Sequence, residues 1–74
     1  MLYDRQEEIL SASQLNVNDM INVFYHGNCI KENCIVLSLI QDNYFQRGLV
    51  VYLNGVIKET IDLENIDGLW IKKL

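Results

Sequence analysis

The sequence predicts a mainly β domain, one short helix followed by five short strands, on three observations. Apolar residues alternate with polar ones from Met20 onward, an Asn54-Gly55 pair separates two such runs, and isolated glycines stand at the breaks. With 74 residues the chain has room for one domain, residues 1–12 holding the helix and residues 19–74 the strands. Half of the residues are hydrophobic and none is proline, which is enough apolar material for a small core.

The helix is expected over residues 2–10, where Leu2, Ile9 and Leu10 gather on one side and Arg5, Gln6, Glu7 and Glu8 on the other. Ser11, Ser13 and Asn16 form a connector. The first strand then carries Ile21, Val23 and Tyr25 on its core side. After a turn at Gly27-Asn28, residues 29–41 read as one long strand. Its centre, Ile35-Val36-Leu37-Ser38-Leu39-Ile40, is apolar on both faces, as in a strand that is bent or covered on both sides.

A turn at Asp42-Asn43 leads to a third strand over residues 44–53, with Leu49, Val51 and Leu53 on one face. Asn54-Gly55 is the preferred pair of a type I′ hairpin turn, whose two central residues need positive φ. The hairpin predicts Leu49, Val51, Ile57 and Ile61 as core, with Val50, Tyr52, Lys58 and Thr60 facing outward. Residues 64–68 form a single tight turn, and Leu69-Trp70-Ile71 opens the last strand. Closing such a set into a small SH3-like or Sm-like five-stranded barrel hides its edges. A flat sheet packed on the helix is the alternative.

The formal charge of −4 disfavours phosphate backbones and anionic lipid surfaces, so neither a nucleic acid nor a membrane is the expected partner. No run approaches the roughly 18 apolar residues that span a bilayer, and the first residues lack the order of a signal peptide. A cytoplasmic setting, in a bacterium or an infected host cell, is therefore expected. There Cys29 and Cys34 stay reduced.

No catalytic residue, metal site or cofactor is predicted. His26, Cys29 and Cys34 offer three ligands at H-x₂-C-x₄-C spacing, one short of a zinc site and without a second pair. The ten carboxylates read as solvated surface charge, and the separated glycines form no phosphate loop. The aromatic residues are more informative. Phe24, Tyr52 and Trp70 depart from the core parity of their strands, and with Tyr44 they are the candidate partner-binding residues.

Ile21-x-Val23-x-Tyr25-x-Gly27 with Ile30, the apolar run to Ile40, and Ile61-x-Leu63-x-x-Ile66-x-x-Leu69-x-Ile71 together resemble the YolD-like family of Gram-positive bacteria and their phages. The resemblance covers residues 17–71. It implies a small β-barrel and a non-catalytic accessory role beside a DNA-processing enzyme such as an error-prone polymerase. The Arg-, Gly- and Trp-rich segment that precedes this region in the family is missing here. The chain is also similar to Sm-like proteins, which place a helix before five strands. Their RNA binding is not carried over to so acidic a chain.

These observations favour a protein-interaction or regulatory module that binds a protein partner and has the makings of a homo-oligomer. The first alternative is a phage-encoded acidic inhibitor of a host nuclease or defence complex, anti-CRISPR-like in action. A nucleic-acid-binding module using Lys31, Arg47, Lys58, Lys72 and Lys73 is the second.

Overall fold

The computed structural model describes residues 8–74. Five antiparallel strands form one sheet: β1 (Met20–Tyr25), β2 (Asn28–Ile40), β3 (Leu49–Asn54), β4 (Ile57–Asp62) and β5 (Leu69–Lys73). Their order across the sheet is β4-β3-β2-β1-β5, so the first four strands form a meander and β5 returns to the far side of β1.

The long β2 is the axis of this arrangement. Its first part pairs with β1 and its second part with β3, and Ile35 faces Met20 on one side and Leu53 on the other. Register shifts interrupt both ladders, two between β1 and β2, the first where Asn33 adopts φ 54° and the second between Val23 and Phe24, and one between Val36 and Ser38. Asparagine tolerates the left-handed region, and Asn22 holds this residue by accepting the Asn33 N–H at 2.9 Å. Bulges of this kind bend a strand and raise its twist.

The bend wraps the inner face of the sheet around one core. Ile21 and Val23 of β1, Cys34 and Val36 of β2, Val50 and Tyr52 of β3, Ile61 of β4 and Ile71 of β5 are all buried in it. In a flat sheet β4 and β5 would lie about 19 Å apart at the usual strand spacing. Strands from both edges reach one cluster only because the sheet curls. The Lys31 ammonium and the Glu59 carboxylate, on β2 and β4, meet at 2.6 Å and tie the curl together.

The helix expected over residues 2–10 is replaced at its C-terminal end, whereas residues 1–7 lie outside the described residues. Glu8 bridges to Lys72 as an extended residue, and the Ile9 N–H donates to the Ile71 carbonyl at 2.8 Å, alongside the outer edge of β5. Only afterwards does a 3₁₀ turn form, over Ala12–Gln14. Its sequence explains its position: Ser11 accepts the Ser13 N–H, and the Gln14 side chain accepts the N–H groups of Leu10 and Ser11. Ile9, Ala12 and Leu15 are thereby delivered to the core.

The hairpin turns differ from expectation by one residue. Tyr25 faces Asn28, leaving His26 (φ 48°) and Gly27 (φ 86°) as the central pair, which is the type I′ pattern. Asn54 faces Ile57, so the second turn is centred on Gly55-Val56 rather than on Asn54-Gly55. Gly55 has φ 66° and Val56 is not in the positive region, which makes this turn type II′. The third strand also begins later than expected, residues 44–48 belonging to the loop that enters β3.

Moving the turn changes which side chains are buried. Val50 faces Ile61 and Tyr52 faces Glu59, so Val50 and Tyr52 point inward while Leu49 and Val51 stand half-buried on the other face. Ile57, expected in the core, is 59 % exposed. Ile61 is buried as expected. No helix among the described residues is long and apolar enough to cross a membrane.

Candidate interaction surface

The outer face of β2 and β3 carries the most distinctive surface among the described residues. Three rows cross it from β2 to β4. Ile35, Leu53 and Lys58 form the first, Ser38, Val51 and Thr60 the second, and Ile40, Leu49 and Asp62 the third. Met20 flanks Ile35, and Leu37 sits at the bulge beside Ser38. Met20, Ile35, Leu37 and Ile40 are exposed, and Leu49, Val51 and Leu53 are half-buried.

This face exists because the second half of β2, from Cys34 to Ile40, and β3 are apolar at nearly every position. One parity fills the core, and the other is left outside. Contiguous aliphatic surface of this kind, edged by Lys58, Thr60 and Asp62, costs hydration free energy unless another apolar surface covers it. The apolar centre with a polar rim is the general anatomy of a protein interface.

The aromatic candidates do not converge here. Tyr52 is 2 % exposed and lies in the core, which corrects its outward assignment. Burial, followed by the charge of Glu59 and the neighbouring Cys34, pushes the Tyr52 phenol up to about 12. Trp70 is also buried, on the face opposite Ile71, and its ring stacks on half-buried Phe24 with centroids 4.2 Å apart.

Tyr44 alone is widely exposed, at 83 %, with its ring edge against Phe45. Asp42 fixes that loop by accepting the N–H groups of both Tyr44 and Phe45. Tyr44 and Phe45 form one wall of a shallow groove completed by Gln46, Asp62, Glu64 and Asn65. Sequence reasoning missed the aliphatic face because it assigned the outward side of β3 to Tyr52. The available signal was the apolar run over residues 35–40, interrupted only by Ser38, and the unbroken one over residues 49–53.

His26, Cys29 and Cys34 form no metal-binding group, and no such group is found among the described residues. Cys29 is exposed and Cys34 buried, both as free thiols. Burial and then the Glu59 charge raise the Cys34 thiol, while burial and Glu32 raise that of Cys29. A thiolate nucleophile requires the opposite shift.

The raised Tyr52 phenol has a consequence for stability. A group whose folded pKa lies above its unfolded value contributes stability that is complete below about pH 10 and lost as pH rises toward about 12. Urea midpoints measured across that window are expected to fall for the native sequence and to fall less for Tyr52→Phe. Equal declines in the two proteins would remove Tyr52 as the cause.

Together the fold and the surface define a small antiparallel β domain with a curled sheet and an apolar outer face. Comparison with protein-family models, with curated proteins and with solved structures finds no match for the chain.

Proposed function

We propose that this chain is a protein-interaction module without catalytic activity, an SH3-like or Sm-like small barrel whose outer β2–β3 face docks on an apolar surface of a partner protein. The observation that carries this reading is the contiguous outward set Met20, Ile35, Leu37, Ile40, Leu49, Val51 and Leu53. The strand order and the bent β2 support the barrel assignment, with the curl tied by Lys31 and Glu59. An accessory role beside a DNA-processing enzyme, as the YolD-like resemblance implies, is the favoured setting, in the cytoplasm.

The test is affinity capture from a bacterial lysate, comparing the native chain with an Ile35→Ser/Leu53→Ser double variant. These two residues face each other at the centre of the patch. The native chain is expected to retain a specific protein, and the variant to lose it by ~10-fold or more, with far-ultraviolet circular dichroism unchanged in shape. Retention by the variant, or capture of nothing by the native chain, would refute the proposal.

A second reading, the acidic inhibitor of a nuclease or defence complex, draws on the groove where Asp62 and Glu64 stand beside Tyr44 and Phe45. Carboxylates beside an aromatic wall suit a basic channel of a target. Repeating the capture at high salt separates the two readings. An apolar contact persists, and a charged one is screened away.

A further inference from the structure

We infer that the free edge of β4 pairs with the same edge of a second copy of this chain, antiparallel and centred on Thr60. The two sheet edges are not equivalent. β5 is accompanied on its outer side by Glu8 and Ile9, whereas β4 has no strand beyond it among the described residues.

The register inside the hairpin determines what that edge offers. A two-residue loop at Gly55-Val56 makes Asn54 and Ile57 a hydrogen-bonded pair, and the alternation then continues through Tyr52–Glu59 and Val50–Ile61. The Leu63 N–H donating to the Gly48 carbonyl at 2.9 Å extends the same series by one step. The intervening residues Lys58, Thr60 and Asp62 therefore aim their backbone groups away from β3. Among the described residues no turn or loop bond reaches the backbone of Lys58 or Thr60, while the Asp62 carbonyl accepts the Asn65 N–H at 3.1 Å and leaves the Asp62 N–H for pairing. An exposed row of this kind is a template for another strand.

Charge selects both the partner and the register. Lysine on an edge normally deters strand addition. A two-fold axis at Thr60 removes that obstacle, because it places Lys58 opposite Asp62 of the second copy and Asp62 opposite the second copy's Lys58. Thr60 then meets Thr60, and both threonines point their N–H and C=O groups at each other. The same operation carries exposed Ile57 over the end of the other β4, and Val56, 98 % exposed at the turn, lies at the border. Pairing centred on Glu59 or Ile61 loses the Lys58–Asp62 match. The contact is isologous and closes as a dimer.

This inference shares Lys58, Thr60 and Asp62 with the rim of the outer face but rests on the backbone edge of β4, so it stands whether or not a partner is captured. Sedimentation equilibrium from micromolar to millimolar protein tests it. The native chain is expected at twice its mass of 8.6 kDa. Thr60→Pro removes the central N–H while leaving the bonds to β3 in place, because proline is tolerated where the N–H faces outward. Lys58→Asp sets aspartate against aspartate.

Each variant is expected to raise the dissociation constant by at least ~10-fold. In the native chain, the amides of Lys58, Thr60 and Asp62 should exchange with deuterium more slowly as concentration rises, a readout that needs no variant. A native chain that stays monomeric overturns the inference, as does amide exchange that ignores concentration. Dimerisation that survives Thr60→Pro overturns the edge pairing. Survival in Lys58→Asp overturns the register.

Discussion

Substituting valine for Gly48 is expected to remove most of the protein's stability at 25 °C. Gly48 has φ +103°, which a β-branched residue adopts only with strain of roughly 1–2 kcal/mol. A Cβ at this position would lie 2.5 Å from the Ala12 Cβ and 3.1 Å from the Ile40 carbonyl oxygen. Neither neighbour can yield. Ala12 is buried, and its N–H donates to the Arg47 carbonyl at 2.7 Å, while the Ile40 oxygen belongs to the end of β2.

Overpacking of this kind costs about 1–3 kcal/mol, so the combined loss approaches the whole stability of a domain this small, about 5 kcal/mol. Urea denaturation provides the measurement. Gly55→Ala is the control, because its φ is +66° and nothing lies within 4 Å of the added carbon. There only the backbone strain of about 1 kcal/mol should appear. Similar losses at the two glycines would show that the Ala12 contact is unimportant.

The second large effect is expected from Leu63→Ala. Leu63 is fully buried just after β4, where its N–H binds the Gly48 carbonyl and its side chain fills the core. Truncation there removes buried methyl groups and leaves a cavity, at a cost of about 3 kcal/mol. Leu74→Ala, at an exposed residue, should change the urea midpoint little. If the Leu63 variant unfolded at the native midpoint, the chain beyond β4 would not be part of the core.

What the sequence made legible depended on whether polar residues interrupted the apolar ones. In β4, Lys58, Thr60 and Asp62 mark one face, so the inward direction of Ile61 could be read directly. In Leu49-Val50-Val51-Tyr52-Leu53 every residue is apolar, and alternation carries no parity. There the faces follow from pairing with β4, and hence from a turn centred one residue further along than Asn54-Gly55 suggests. A one-residue displacement of this kind exchanges core and surface, which is why Tyr52 and Val51 trade places.

At the other end, the polar and apolar spacing around Ile9 and Leu10 suits a helix as well as an extended segment. The choice is made by β5, some sixty residues away in the chain, which offers the Ile71 carbonyl to Ile9. The apolar outer face was similarly implicit in the composition of β2 and β3. It becomes a surface only once the curl decides which side is enclosed.

The bridge between Glu8 and Lys72 also orders the assembly of the molecule in time. Ile9 takes its core position beside Ile71, so the earliest described residues cannot settle until the last strand has been synthesised and laid against β1. The meander β1–β4 can form from near neighbours, but its core stays open on the β5 side until then. Completion of the fold should therefore wait for β5 and run at the slower pace of long-range strand pairing. During that interval the exposed aliphatic strands are most exposed to chaperones, proteases and other copies of the chain.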